Sequence, residues 1–223
     1  MPTLTRQQSG YVLNLGDTEN RFHPDWIADV MGHLDEAVAG EGSRALVLTA
    51  SGKFFSNGLD LDWVGANPDQ FDTYAVQVHA LFARLLALPV PTVAAIQGHA
   101  FAAGAMLSLA ADFRVMRADR GFFCLPEVDI QIPFTRAMAA LIQGRLSKRT
   151  AHEAMTTGRR YGGAHALEAG IVDAVAGEGQ VQPDALRMAE ELAPKAGATL
   201  GTIKERMYAD ALRLLRETED PLG

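Results

Sequence analysis

The chain has 223 residues, a formal net charge of −7, 48% hydrophobic and 21% charged residues, and a single cysteine. That length suits one ample domain with at most a small appendage, and the balanced composition excludes disorder, collagen or coiled coil as whole-chain readings. Cys124 alone permits no intrachain disulfide or cysteine-rich zinc site, and the acidic balance opposes a general nucleic-acid role.

Residues 1–10 are polar and carry no export or transit pattern, and the longest apolar run, 100–111, is too short to cross a bilayer. The expectation is a cytoplasmic protein with neither membrane nor nucleic-acid partners. Residues 11–15 (YVLNL) alternate apolar and polar and predict a half-buried strand. After a turn at 20–24, Pro24 starts a helix containing Trp26, Ile27, Val30, Met31, Leu34 and Val38, which Gly40 and Gly42 stop. Residues 45–49 (ALVLT) form a continuous apolar run, as suits a strand covered on both faces. A glycine-punctuated stretch at 51–60 precedes an amphipathic helix over 71–88, ended by Pro89 and Pro91. Residues 92–96 (TVAAI) read as a second buried strand, 98–104 lead into a helix reaching about 111, and 113–116 begin another strand.

Strand–helix alternation implies crossover connections and a mainly parallel sheet. From Pro133 onward the pattern is helical over 134–143, 148–157, 164–169 and 183–192. A final helix carries Leu200, Ile203, Met207, Ala211 and Leu214 on one face. No internal repeat or long linker is visible.

No G-x-S-x-G elbow, P-loop, H-E-x-x-H or C-x-x-C occurs, and no residue cluster proposes a metal site. Two glycine turns are informative instead. Phe54-Phe55-Ser56-Asn57-Gly58-Leu59-Asp60-Leu61 follows the 45–49 strand, and Gly58 permits a close approach that bulkier residues resist. It reads either as a turn capped by Ser56, Asn57 or Asp60, or as a source of free backbone donors. Gly98-His99-Ala100-Phe101-Ala102-Ala103-Gly104-Ala105-Met106-Leu107 opens a helix that is apolar nearly all round and offers no Ser, Thr, Asp or Asn cap. Its first amides must find backbone, water or a ligand oxygen. At the ends of consecutive parallel strands, the two turns share one sheet edge and can hold one oxygen from two sides.

These turns, with Leu125-Pro126-Glu127-Val128-Asp129-Ile130 and the later Gly163 and Ala169-Gly170-Ile171-Val172-Asp173, resemble the crotonase (enoyl-CoA hydratase/isomerase) superfamily over about residues 11–175. The resemblance implies an α/β fold with a ββα spiral core at 1–175, a short C-terminal helical segment at 176–223 for packing or oligomerisation, and assembly as a homotrimer or dimer of trimers. It implies an acyl-CoA thioester substrate, coenzyme A being part of that substrate, with no further cofactor and no metal. It places the two oxyanion donors at the N–H groups of Leu59 and Ala103, with Ala102-Ala103-Gly104 standing where hydratases have three glycines. Main-chain donors tolerate that exchange if the local φ stays negative. Ser56, Asn57, Gly58, Asp60 and Leu61 are expected along the CoA path.

Where the hydratases of this family carry a first catalytic glutamate, this chain has Met106; the second corresponds to Glu127. A thioether neither takes nor gives a proton at neutral pH, so water addition by two carboxylates fits poorly. One carboxylate suffices to move a proton between C2 and C4 of a Δ3-enoyl thioester. The resemblance therefore points to the Δ3,Δ2-enoyl-CoA isomerase branch of fatty acid β-oxidation, with Glu127 as the shuttle and Met106 as an apolar wall. Enoyl-CoA hydratase and a non-catalytic acyl-CoA-binding protein are the alternatives.

The residues alone leave other readings open. Glu127, Asp129 and Gln131 alternate with Val128, Ile130 and Ile132, which also writes a strand with one wet face. Phe122, Phe123 and Leu125 are expected to supply the apolar surroundings that would raise the Glu127 pKa. His99 reads as packed or solvated, Arg114, Arg117 and Arg120 as a solvated edge or phosphate contacts, and Asp112 as a cap. Tyr74, Trp63 and Phe71 line an acyl tunnel or fill a core. The charged end from Glu217 to Gly223 leaves the 200–214 helix as the interface or lid element.

Overall fold

The computed structural model describes residues 1–7, 10–219 and 221. Strands β1 (Thr3–Gln7) and β2 (Gly10–Asn14) pair antiparallel, followed by helix α1 (Pro24–Ala39). A strand–strand–helix unit then recurs. Its first copy is β3 (Ala45–Thr49), β4 (Phe54–Ser56), then α2 (Leu61–Ala66) and α3 (Phe71–Leu86). The second is β5 (Thr92–Ile96), β6 (His99–Phe101) and α4 (Ala103–Ala110); the third is β7 (Phe113–Arg117), β8 (Phe123–Cys124) and α5 (Glu127–Ile130). Helices α6 (Arg136–Arg145), α7 (Lys148–Thr157) and α8 (Gly163–Glu168), strand β9 (Ala174–Ala176), and helices α9 (Val181–Leu192), α10 (Ala198–Met207) and α11 (Ala209–Leu215) complete the chain.

Each unit gives its first strand to one sheet and its second to another. The larger sheet runs β1-β2-β3-β5-β7-β9, parallel except for the β1 edge, and the smaller, all-parallel sheet runs β4-β6-β8. This is the crotonase-like ββα spiral with C-terminal helices. The repetition is structural only, carried by strands of two to five residues that share no sequence motif.

The apolar runs are continuous because the large sheet is covered twice. Leu46 and Leu48 of β3 join the main core with α1, α3 and α4, whereas Ala45 and Val47 meet Val181, Ala185 and Ala189 of α9 across the other face. Burying both faces removes the alternation that a half-wet strand would show.

Three expectations need correction. The strand at 11–15 is not half-buried: Tyr11, Val12, Leu13 and Leu15 are all buried, because β2 lies inside the sheet between β1 and β3 and is covered on both faces. Glu127 begins a short helix rather than lying on a strand, and Gln131 ends it in the left-handed region at φ 57°. The final helix is two, broken at Tyr208, and its packed face is rotated from the expected one. Ile203 and Met207 remain 52% and 66% exposed, while Lys204, Tyr208, Ala211 and Leu212 turn inward. Polar bonds of Lys204 and Tyr208 to the core, described below, set that rotation.

Candidate active site

The turn after β4 is fixed by hydrogen bonds from distant parts of the chain. Asn57 N–H donates to Glu19 O (2.8 Å), Gly58 N–H to Ser56 Oγ (3.1 Å), and Asp60 N–H to the Tyr74 hydroxyl (3.0 Å). Leu61 N–H donates to Leu59 O (3.1 Å), whereas the Leu59 N–H has no protein acceptor among the described residues. One donor of the turn is thus left over.

Gly58 sits at φ +84°, where a Cβ would lie 2.9 Å from Ala103 N. That proximity brings the second turn against the first. Ala102 N–H donates to Cys124 O of β8, and α4 follows with no side-chain cap. Ala103, the first residue of α4, has an N–H with no protein acceptor among the described residues. As the opening amide of a helix it has no intrahelical partner, and the helix dipole favours negative charge beside it. Gly104 packs against the Ser56 backbone, where a Cβ would press into the carbonyl oxygen. The negative-φ condition holds at Ala103 but not at its neighbour: Ala102 lies at φ +50°, ψ −125°, a region that normally belongs to glycine.

Leu59 and Ala103 line one cavity of about 230 Å³ together with Asn57, Leu61, Met106 and Glu127. Its remaining wall is apolar, from Phe101, Ala102, Pro126, Ile130, Ile132, Pro133 and Met138. Glu127 is the only acid among the described residues lining it. Its side chain is buried, with Oε2 unpartnered, and desolvation pushes the carboxyl up to about 7. The apolar surroundings are not those expected from the sequence. Phe122 turns outward to His99, and Phe123 and Leu125 sit in the core, so Met106, Ile130 and Ile132 supply the wall.

A second apolar cavity of about 170 Å³ shares Leu59, Ile132, Pro133 and Met138 with the first and reaches Phe71, Tyr74 and Val78. Tyr74 and Phe71 therefore line an apolar space, and the Trp63 ring lies tilted against Tyr74 at 5.2 Å.

Ser56, Gly58 and Asp60 do not line the cavity. Ser56 is fully buried and its hydroxyl donates to Asn20 O (2.8 Å), while Asp60 caps α2 by accepting from Trp63 N (3.2 Å). All three shape the turn instead. His99 does not line the cavity but packs among Phe54, Phe101 and Phe122 at 4.9–5.7 Å. Arg114 is not a solvated edge: it is buried and donates to Ile171 O and Ala111 O, whereas Arg117 pairs with Asp119 and Glu178.

Two residues support the first turn through bonds that the sequence did not show. Asn20, buried at φ +50°, donates to Phe54 O (3.2 Å) and Phe55 O (3.1 Å), and the Tyr74 hydroxyl donates to Phe22 O (2.8 Å) while accepting from Asp60. The turn residue Asn20 was readable as such, but its partners lie far along the chain.

Residues 10–220 match the family profile described as Enoyl-CoA hydratase/isomerase. Among curated proteins the chain is similar to the peroxisomal enoyl-CoA delta isomerase 2 of Arabidopsis thaliana, at 36% identity over 96% of this chain and 95% of that one. It is equally similar, at 36%, to enoyl-CoA delta isomerase 3 of the same plant, over 100% of this chain and 98% of the relative. Among solved structures, the human mitochondrial delta3-delta2-enoyl-CoA isomerase superposes with a TM-score of 0.89 at 25% identity, covering 99% of this chain and 88% of that one. No helix among the described residues is long and apolar enough to cross a membrane.

Proposed function

The chain belongs to the enoyl-CoA hydratase/isomerase family, and on that premise we propose that it converts Δ3-unsaturated acyl-CoA thioesters to their Δ2 isomers with Glu127 as sole proton carrier. The thioester oxygen accepts hydrogen bonds from the Leu59 and Ala103 N–H groups. Glu127 removes a proton from C2, and the electron pair of that C–H bond delocalises over C2–C4 and onto the carbonyl oxygen. The same carboxyl then returns the proton to C4, leaving the double bond between C2 and C3. Nothing is oxidised or reduced overall, and no water is consumed.

The observation that carries this reading is the single buried carboxyl in a cavity that also holds both spare backbone donors. With its pKa near 7, that carboxyl takes and gives a proton with comparable ease at neutral pH. The two amides act where negative charge develops, in a cavity whose lining is largely apolar. Met106, where the resemblance places the other glutamate of a hydratase, lines the same cavity and gives a water no second base. The apolar extension toward Phe71 and Val78 would take the acyl chain, and Asn57 and Leu61 would flank the pantetheine at the mouth.

Incubation with 3-hexenoyl-CoA and, separately, 2-hexenoyl-CoA tests the reading, with absorbance following conjugation and hydration. Conjugation of the 3-enoyl substrate is expected, with a loss of about 10²–10⁴-fold in Glu127→Gln. A silent parent protein, or a variant at the parent rate, would overturn it. Hydration of the 2-enoyl substrate at a comparable rate would transfer the assignment to a hydratase.

A further inference from the structure

The helix that opens on Ala103 is buried along its whole length and apolar around its circumference. Its one polar side chain, Ser108, donates back to Ala105 O of the same helix (2.7 Å). Apolar packing resists sideways displacement but supplies few directional bonds along the axis. An eight-residue helix spans only about 12 Å, so whatever fixes its far end also fixes the opening amide.

The far end is clamped. Arg145, the last residue of α6, donates to Leu109 O (2.7 Å), Ala111 O (2.7 Å) and Asp112 O (2.8 Å), and Arg114 adds a bond to Ala111 O (3.0 Å). Leu109 O is one of the carbonyls that a helix end leaves without intrahelical partners, Ala111 is the C-cap, and Asp112 follows it. The clamp is anchored in turn by the C-terminal helices. The Tyr208 hydroxyl accepts from Arg145 Nη1, and the Tyr208 ring lies 5.2 Å from the guanidinium carbon. Lys204 Nζ donates to Asp112 Oδ2 (2.7 Å), Leu88 O (2.8 Å) and Val90 O (3.1 Å), so all three of its hydrogens are used. Thr92 N–H also donates to Asp112 Oδ2 (2.8 Å), locking the residue just beyond the helix to β5.

We infer that Lys204 and Tyr208 are positioning residues for the oxyanion hole: through Asp112 and Arg145 they set the axial position of α4, and hence of the Ala103 N–H. The inference rests on the proposed isomerase reading and extends it to a part of the chain far from the cavity. A misplacement near 1 Å at a catalytic donor costs on the order of 10²-fold in rate, and a clamp with one bond removed should allow a fraction of that. Because the thioester binds mainly through its remote parts, the loss should fall on kcat rather than KM.

The test uses Tyr208→Phe and the double variant Asp112→Asn with Lys204→Met, which removes both buried charges together and avoids stranding one of them. Leu186→Ala, on α9 across the large sheet, serves as a control for general destabilisation. Stability is measured by urea unfolding, and kcat and KM with 3-hexenoyl-CoA. A bound 3-ketoacyl-CoA gives a separate readout, because its enolate absorbance reports the oxyanion donors directly. Both clamp variants should lose about 10-fold in kcat with KM nearly unchanged, and should weaken the enolate signal, while Leu186→Ala does neither. Parent-like kcat and enolate absorbance in both folded variants would overturn the inference. A parent protein inactive on the 3-enoyl substrate would count against the isomerase reading alone, since the enolate signals of parent and variants would still decide the clamp.

Discussion

The two turns that meet at the cavity achieve similar outcomes by opposite means. The first places glycine where φ is positive and occupies three of its neighbouring amides with Glu19 O, Ser56 Oγ and the Tyr74 hydroxyl, leaving Leu59 N–H over. The second has no capping side chain and holds an alanine at φ +50°. Its hold comes from Ala102 N–H on β8, the buried helix behind it and the clamp at that helix's far end. A donor site can therefore be fixed locally by directional bonds, or remotely by a rigid body whose other end is secured. The first kind should fail when a local bond is cut, and the second should tolerate local change while remaining sensitive to displacement.

The most disruptive test removes the distinction by pushing the turns apart. An added methyl at Gly104 would press into the Ser56 carbonyl, and both parties are backbone, so neither can yield cheaply. Gly104→Ala is expected to lose activity by at least about 10²-fold, with a drop of roughly 1–3 kcal/mol in urea-measured stability. Parent-like kcat in that variant would mean that the turns need not touch to work.

Next in size is the acid that both turns face. In the unfolded chain Glu127 titrates near 4.5, and in the folded protein near 7. Below pH 4.5 both states hold the proton. Between about 4.5 and 7 only the native state holds it, so stability falls as pH rises through that window and then levels off. The full amplitude is about 3 kcal/mol. Glu127→Gln lacks this titration, so its stability relative to the parent should climb by that amount from pH 4.5 to 7.5 in urea titrations. In the parent, kcat/KM should rise with pH through about 7 as the base form accumulates in the free enzyme. A parent profile flat between pH 5 and 8 would remove Glu127 from the role.

A milder cut separates the local turn from the remote one. Tyr74→Phe deletes the acceptor for Asp60 N–H and the donor to Phe22 O, leaving two enclosed backbone groups unpaired. The expected loss is about 1–3 kcal/mol of stability, with kcat reduced about 10-fold through a loosened Leu59 N–H. Unchanged kcat would show that the first turn does not depend on its distant bonds.

How far these features could be read in advance depended on distance and length. Residues 45–49 and 92–96 were legible because a strand covered on both faces is written as an unbroken apolar run. Strands β4, β6 and β8, of three, three and two residues, were not, since so short a stretch contains no period to detect. The same brevity let Glu127–Ile130 pass for an alternating strand when Gln131 turns the chain out of a helix. The two turns could be picked out because glycine punctuation and a missing cap are local signals, whereas Leu59, Ala103 and Glu127 were named by the family resemblance. Tyr74 and Lys204 could not be assigned their roles, because their bonds span 52 and 92 residues. Lys204 is the sharper case: a helical lysine reads as solvated, and the apolar Ile203 and Met207 beside it read as packed, yet burial is the reverse.

The smallest effect is the most pointed test of the contrast between the turns. Ala102 occupies a backbone region that disfavours a Cβ by roughly 1–3 kcal/mol, and glycine would release that strain. Glycine also loses more conformational entropy on folding, which takes back about 0.4–1 kcal/mol. Ala102→Gly should therefore gain about 1 kcal/mol in urea-measured stability, the difference of those two effects, whose extremes bracket roughly 0–2.6 kcal/mol. If α4 is held from its far end, the relaxed residue leaves Ala103 N–H where it was, and kcat stays within about twofold of the parent. A loss of activity with a gain in stability would instead mean that the strained alanine itself aims the donor. The second turn would then be locally built after all, and the two halves of the proposed oxyanion hole would differ only in which residue bears the constraint.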